Sequence, residues 1–155
     1  MEQDFKPHDQ QRPALVTWLG YGGLVPFVGL AALATLAPEG GMRWHALLLA
    51  YGAVILSFVG ALHWAFAMLM PRLDEQERNR RYLWSVVPAL MAWPCALLPV
   101  PVATLVLITG FALQYAQDHA LARQGGLPAW YLPLRLHLSL IAVASLALAS
   151  LAGKA

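Results

Sequence analysis

Four polar side chains stand within or at the edge of long apolar runs: His63, Gln114, Asp118 and Arg135. An ionisable group is costly in an apolar surrounding unless it is paired or hydrated, and in a membrane such a group usually marks a functional site. A carboxylate and a guanidinium can satisfy each other through two parallel hydrogen bonds, so Asp118 is predicted to pair with Arg135. His63 is then expected to share a hydrogen bond with Gln114 or with a water molecule.

Together these side chains could bind the head of a lipophilic molecule. A quinone head requires donors for its carbonyl oxygens and an apolar tunnel for its tail. The sequence therefore predicts a small membrane protein that binds a hydrophobic small molecule, a quinone or a lipid, in a pocket of the inner leaflet. The candidate ligand-binding residues are His63, Gln114, Asp118, Arg135, Tyr131 and Trp64, although Trp64 lies about 100° from His63 around a helix.

The same residues leave other interpretations open. Asp118 and Arg135 could simply hold helices together in an accessory or assembly subunit of a larger membrane complex, or in a homo-oligomer. His63 and Asp118 could relay protons in a transporter, although the outer half of the membrane would contain few polar residues. Haem between His63 and His137 is disfavoured because His137 points away from the polar stripe of its helix. No other metal-ligand set and no catalytic motif occurs, so the sequence does not require an enzyme.

The composition is that of a membrane protein. Of 155 residues, 59% are hydrophobic and only 12% are charged, and the mean hydropathy is +0.58. The net charge of +2 is small and dispersed, which excludes a nucleic-acid-binding surface. The single cysteine, Cys95, excludes an intramolecular disulfide.

Five apolar segments are each close to the roughly 20 residues that cross a bilayer. They predict an all-α, polytopic domain over residues 14–152, flanked by a polar tail at 1–13 and a short tail at 153–155. Gly22, Gly23 and Pro26 predict a packing kink in the first span, and the charged segment at 72–81 is expected to form an exposed loop with a short helical tendency. The predicted spans are residues 15–37, 44–70, 82–98, 102–117 and 131–151.

Positive charge predicts the orientation of the bundle, with the N-terminus in the cytoplasm and the C-terminus outside. In this orientation Arg43 and Lys154 are the only basic residues outside. The inner segments hold Lys6, Arg12, Arg72, Arg78, Arg80, Arg81, Arg123 and Arg135.

Helical spacing predicts which faces point into the bundle. Gly52, Leu56, Gly60, His63 and Ala67 recur every three or four residues, so they form one stripe of the second span. Small residues on such a stripe allow helices to approach closely, so His63 should face protein rather than lipid. The same spacing places Gln114 with Asp118 on the fourth span, and Tyr131, Arg135, Ser139 and Ala142 on the fifth.

The chain resembles the domain of unknown function 3429 family of small membrane proteins similar to transmembrane protein 69. The resemblance covers residues 15–151 and rests on the stretches "YGAVILSFVGALHWAFAM", "SVVPALMAWPCALLP", "GFALQYAQDHALARQGGLPAWY" and "LRLHLSLIAVASLAL". It implies a multi-pass protein of the bacterial inner membrane but no established activity.

Overall fold

In the part of the chain that the computed structural model describes, every element is a helix. The structure describes residues 12–37 and 40–152, so residues 1–11 of the predicted N-terminal tail and the tail 153–155 lie outside it. The elements are α1 (Ala14–Gly22), α2 (Val25–Leu36), α3 (Gly41–Leu69), α4 (Glu75–Ala92), a 3-10 helix (Trp93–Leu97), α5 (Val100–Arg123) and α6 (Tyr131–Ala152). Within the described residues, four segments are long and apolar enough to cross a membrane: Ala14–Leu36, Gly41–Leu69, Val100–Arg123 and Tyr131–Ala152. The chain is therefore an all-helical protein of membrane type.

Helix α3 is the centre of the bundle and packs against α2, α4, α5 and α6. The predicted stripe on α3 is confirmed, because all five of its residues are buried. Its glycines allow the close contacts that small residues permit. A Cβ atom added to Gly60 would lie 2.6 Å from Cγ of Pro88 on α4. Gly110 on α5 likewise leaves room for the side chain of Leu56 on α3.

The first predicted span consists of two helices that meet at a break. α1 ends at Gly22 and α2 begins at Val25, with Pro26 in the first turn of α2, where a missing N–H is tolerated. The hydroxyl of Tyr51 on α3 donates a hydrogen bond of 2.8 Å to the carbonyl oxygen of Gly23. This bond satisfies a backbone group that the break removes from the helical pattern.

Residues 75–81 of the charged segment form the start of α4, so its helical tendency is confirmed there, and the non-helical part is limited to residues 72–74. Asp74 caps the helix by accepting a 2.7 Å hydrogen bond from the backbone N–H of Glu77. Arg81 is only 1% exposed because its guanidinium donates to the side chains of Glu77 and Gln117. The predicted third span, residues 82–98, thus comprises the second half of α4 and the 3-10 helix. This segment is not among the four apolar ones.

The two ends of the bundle differ in chemistry. At the end where α3 finishes and α6 begins, called here the polar end, the helices meet through His63, Arg81, Asp118 and Arg135. At the opposite end the ring nitrogens of His45 lie 2.6 Å from the carbonyl oxygens of Gly41 and Ala149, joining the start of α3 to the last turn of α6. The core between the two ends is apolar and includes Phe27, Leu48, Leu56, Leu107 and Leu146.

The contact between Gly60 and Pro88 predicts a loss of stability in Gly60→Ala. The added methyl group would overlap the proline ring, and overpacking of this kind costs about 1–3 kcal/mol. Thermal unfolding in detergent should therefore show a lower midpoint than in the wild type. The matched control is Gly29→Ala on α2, where no heavy atom lies within 4 Å of the added Cβ. Equal midpoints for the two variants would contradict the close packing of α3 on α4.

Candidate functional site

Asp118 is the centre of a buried hydrogen-bond network on three helices. Its Oδ1 accepts from Nε2 of His63 at 3.0 Å, from Nε2 of Gln114 at 3.1 Å and from the hydroxyl of Tyr131 at 3.4 Å. Its Oδ2 accepts from Nε of Arg135 at 2.8 Å. These five residues are called the Asp118 network. The structure thus brings together five of the six residues predicted to bind a ligand.

Helical register explains how the network forms. Gln114 and Asp118 are one turn apart on α5 and therefore share a face. His63 reaches them from the small-residue stripe of α3. Tyr131 and Arg135 lie one turn apart at the start of α6, which follows α5 after a short connection. Three helices consequently deliver four donors to one carboxylate.

Burial requires that the charges in this network be compensated. His63, Gln114 and Asp118 are all 0% exposed and Arg135 is 7% exposed. A buried carboxylate is tolerated when a cation and further donors surround it, and Asp118 has both. Because this carboxylate can only accept, Nε2 of His63 must carry the hydrogen of their shared bond. The expected bond between His63 and Gln114 is replaced by one from each of them to Asp118.

The expected pair of Asp118 with Arg135 is present, but through one nitrogen of Arg135 and not two. Among the nitrogens of Arg135, Nε alone donates a hydrogen bond to the carboxylate. Its Nη2 is buried and has no hydrogen-bond partner among residues 12–37 and 40–152. Nη2 lies on the same edge of the guanidinium as Nε, and since the group has five N–H donors in a planar fork, this arrangement leaves a charged donor beside Asp118 without a partner in these ranges.

Helix α4 supports the network through residues that the sequence interpretation did not include. Nε1 of Trp84 donates to Oε1 of Gln114 at 2.9 Å, while Nε2 of Gln114 also donates to the carbonyl oxygen of Val59 at 3.3 Å. One turn away, Arg81 donates to the backbone and side-chain oxygens of Gln117, each at 3.1 Å. The spacing of three or four residues in α4 indicates the face that points into the bundle, which is formed by Arg81, Ser85, Pro88 and Ala92.

A small cleft lined in part by Arg135 lies next to the break between α1 and α2. It is called here the α6 cleft and has a volume of about 130 Å³. Two of its lining residues, Arg135 and Ser139, are polar and one turn apart on α6. The other lining residues are Leu19, Gly20, Gly23, Leu24, Phe27, Ile55, Phe58, Val59, Phe111, Leu138 and Ala142.

Both polar groups in the cleft have unused hydrogen-bonding capacity. Ser139 is 8% exposed, and its Oγ, like Nη2 of Arg135, has no partner within the part of the chain that the structure describes. Buried polar atoms are nearly always hydrogen-bonded, so two such atoms at one cleft are unusual. Two residues that line the cleft thus carry donors without a partner among the described residues, although the two donor atoms themselves have almost no exposed surface.

Trp64 and His137 lie outside this arrangement. Trp64 is 51% exposed and packs edge-on against Tyr82, with ring centroids 4.9 Å apart. His137 is exposed on α6, while Nε2 of His63 is held by Asp118, so the structure does not present the two histidines as an axial pair for haem. Over the described ranges, no group of three or more His, Cys, Asp or Glu side chains could hold a metal ion.

Comparison with known proteins identifies relatives of the chain. The profile of the family described as "Protein of unknown function (DUF3429)" matches residues 12–151. Transmembrane protein 69 of Xenopus tropicalis is 34% identical over 143 residues, which cover 89% of this chain and 53% of that protein. The chain thus spans about half the length of this curated relative. No solved structure matches.

The geometry of Asp118 and Arg135 predicts strong coupling between them. Asp118→Asn leaves the guanidinium without its counter-ion, and breaking a buried pair in this way costs about 3–5 kcal/mol. Arg135→Gln should have a similar cost, whereas the double variant should lose much less than the sum of the two. Thermal unfolding of all four proteins in detergent measures this coupling. Glu75→Gln, at an exposed position of α4, is the control expected to unfold like the wild type, and additive losses from Asp118→Asn and Arg135→Gln would contradict the pair.

Proposed function

We propose that this chain, which belongs to the family described as "Protein of unknown function (DUF3429)", binds a hydrophobic small molecule, a quinone or a lipid, in the α6 cleft. The observation that carries the proposal is the pair of unpartnered donors, Nη2 of Arg135 and Oγ of Ser139. A ligand pocket is typically apolar with a few placed polar groups, and this cleft has that composition. A rotation of the Arg135 and Ser139 side chains brings the two donors to the head of the ligand, and its tail lies among apolar side chains.

In this proposal the Asp118 network positions Arg135. Asp118, His63 and Gln114 have no exposed surface, so they act on a ligand through the guanidinium that Asp118 holds. Tyr131 adds a further bond to the same carboxylate. The proposed binding site accordingly consists of Arg135 and Ser139, supported by four of the predicted residues, and does not include Trp64.

The proposal includes five membrane crossings, with the polar end in the cytoplasm of a bacterium whose inner membrane holds the protein. The crossing that is not among the four apolar segments is formed by α4 together with the 3-10 helix. Tyr82 packs on Trp64 near the end of α3, and Pro88 packs on Gly60. Near the start of α3, Ala46 and Ala50 line one cavity together with Trp93 and Ala96 of the 3-10 helix. The segment therefore runs antiparallel to α3 along most of the bundle. The charged start of α4 lies at the polar end, and its arginines favour the cytoplasmic side of the membrane.

One observation favours a second function, that of an accessory or assembly subunit of a larger membrane complex. His137 is exposed on α6, which is one of the four helices of membrane-spanning length. An ionisable side chain on the lipid-facing surface is unusual, and contact with another membrane protein would give it a hydrogen-bond partner. Purification in mild detergent that yields no associated protein would count against this function.

The binding proposal predicts a weaker interaction in Ser139→Ala. Loss of one hydrogen bond to a ligand costs about 0.5–1.5 kcal/mol, so affinity should fall about 2- to 10-fold. Quinone and lipid retained by protein purified in mild detergent are measured by extraction and mass spectrometry. Ser145→Ala is the matched control, because Ser145 is a buried serine on the same helix but lies outside the cleft. A wild type that retains neither class of molecule, or equal retention in the two variants, would contradict the proposal.

The proposed topology predicts which positions react from outside the cell. In a Cys95→Ala background, Met42→Cys and Gln124→Cys each introduce one thiol at an exposed position. A membrane-impermeant maleimide applied to intact bacteria should label Met42→Cys only, and permeabilised cells should label both. Labelling of both in intact cells would show that α4 does not cross, and labelling of Gln124→Cys alone would reverse the orientation.

A further inference from the structure

We propose, on the basis of the binding function above, that the occupant of the α6 cleft is an uncharged molecule of the quinone type. Its head is a single ring bearing a carbonyl oxygen, which accepts hydrogen bonds from Nη2 of Arg135 and Oγ of Ser139. Four properties of the cleft support this assignment: its size, the balance of charge beside it, its donors and its opening.

The volume of the cleft selects a small head. At about 130 Å³ the cleft is close to the cavity of about 150 Å³ that accommodates benzene in an engineered protein. A single six-membered ring fits a space of this size. The head of a phospholipid, which joins a glycerol to a hydrated phosphate, requires more room than this.

The charges next to the cleft select an uncharged head. Asp118 and Arg135 balance each other, and His63 shares Oδ1 of the same carboxylate. An anionic head would place a second negative charge beside Asp118 with one guanidinium to compensate both. Charge left uncompensated in an apolar surrounding is strongly unfavourable, so the balanced pair favours a neutral ligand.

The polar atoms of the cleft select a carbonyl oxygen. Arg135 can only donate, and Ser139 lies one turn further along the same face of α6. A carbonyl oxygen has two lone pairs and can accept from both groups. The side chains of the other lining residues are apolar or absent, so a second hydrophilic group on the ligand would find no side-chain partner in the cleft.

Aromatic side chains and the opening of the cleft fit a ring with an apolar tail. Phe27, Phe58 and Phe111 line the cleft, and aromatic faces and edges pack favourably on a planar ring. Phe58 is 62% exposed and Leu19 is 67% exposed. These two residues lie where the cleft meets the surface of the bundle, and in a membrane that surface faces acyl chains. A tail attached to the ring leaves by this opening.

The test compares three probes that share a ten-carbon tail: 2-decyl-1,4-benzoquinone, decylbenzene and decanoate. Each is equilibrated between lipid nanodiscs that contain the full chain and empty nanodiscs of the same lipids. The benzoquinone should be enriched in the protein-containing discs roughly tenfold over decylbenzene, because only the quinone can accept from the two donors. Ser139→Ala should lower this enrichment several-fold, and Ser145→Ala should leave it unchanged.

The outcomes separate the ligand class from the binding function itself. Preferential enrichment of decanoate that depends on Ser139 would overturn the neutral ligand but retain a binding site in the cleft. Equal enrichment of decylbenzene and the benzoquinone would overturn recognition of the carbonyl group. If none of the three probes is enriched, both this inference and the proposed binding function fail.

Discussion

The carboxylate of Asp118 is the constraint on which the arrangement of the helices depends. A negative charge that is fully removed from solvent must be compensated locally, because the apolar interior provides no other stabilisation. Asp118 meets this requirement with donors from α3, α5 and α6. Each donor must lie within about 3 Å of a carboxylate oxygen. The rotation and depth of three helices at the polar end are therefore fixed by one side chain.

The remaining packing makes this approach possible. Glycine on α3 and α5 removes the side chains that would hold the helices apart, and Pro88 and Leu56 occupy the space that remains. Trp84 fixes Gln114 from α4, so its amide is oriented towards Asp118. Arg81 can enter the helix interface because Glu77 and Gln117 take up its donors. The hydrogen bonds at this end thus link neighbouring helices, while Nδ1 of His63, Nε of Arg81 and Nη2 of Arg135 have no partner among the described residues.

Periodicity accounts for the part of this structure that the sequence predicts. The spacing of Gly52, Gly60 and His63 correctly indicates the inward face of α3, because helical spacing determines direction around the axis. The pair of Asp118 with Arg135 follows from the cost of an isolated charge. Four apolar segments follow from length and hydropathy alone.

Other features depend on side-chain geometry that spacing does not determine. A stripe indicates the side on which Arg135 lies but not which of its nitrogens contacts Asp118. The α6 cleft forms where the break after Gly22 meets α6, and residues far apart in the chain create it. Hydropathy also does not reveal that Arg81 is buried, because it treats every arginine as exposed to solvent, whereas the structure buries Arg81 against Gln117.

The position of the ion pair in the sequence has a consequence for the synthesis of the chain. Asp118 and Arg135 are 17 residues apart and lie on consecutive helices near their short connection. The two charges can therefore neutralise each other within one helical hairpin, before that hairpin packs against the rest of the bundle. A hairpin inserted with its charges already paired avoids the cost of two separate charged helices in lipid. His63 is 55 residues from Asp118 in sequence, on a helix synthesised earlier, so its bond to Asp118 connects the completed hairpin to the helices already in place.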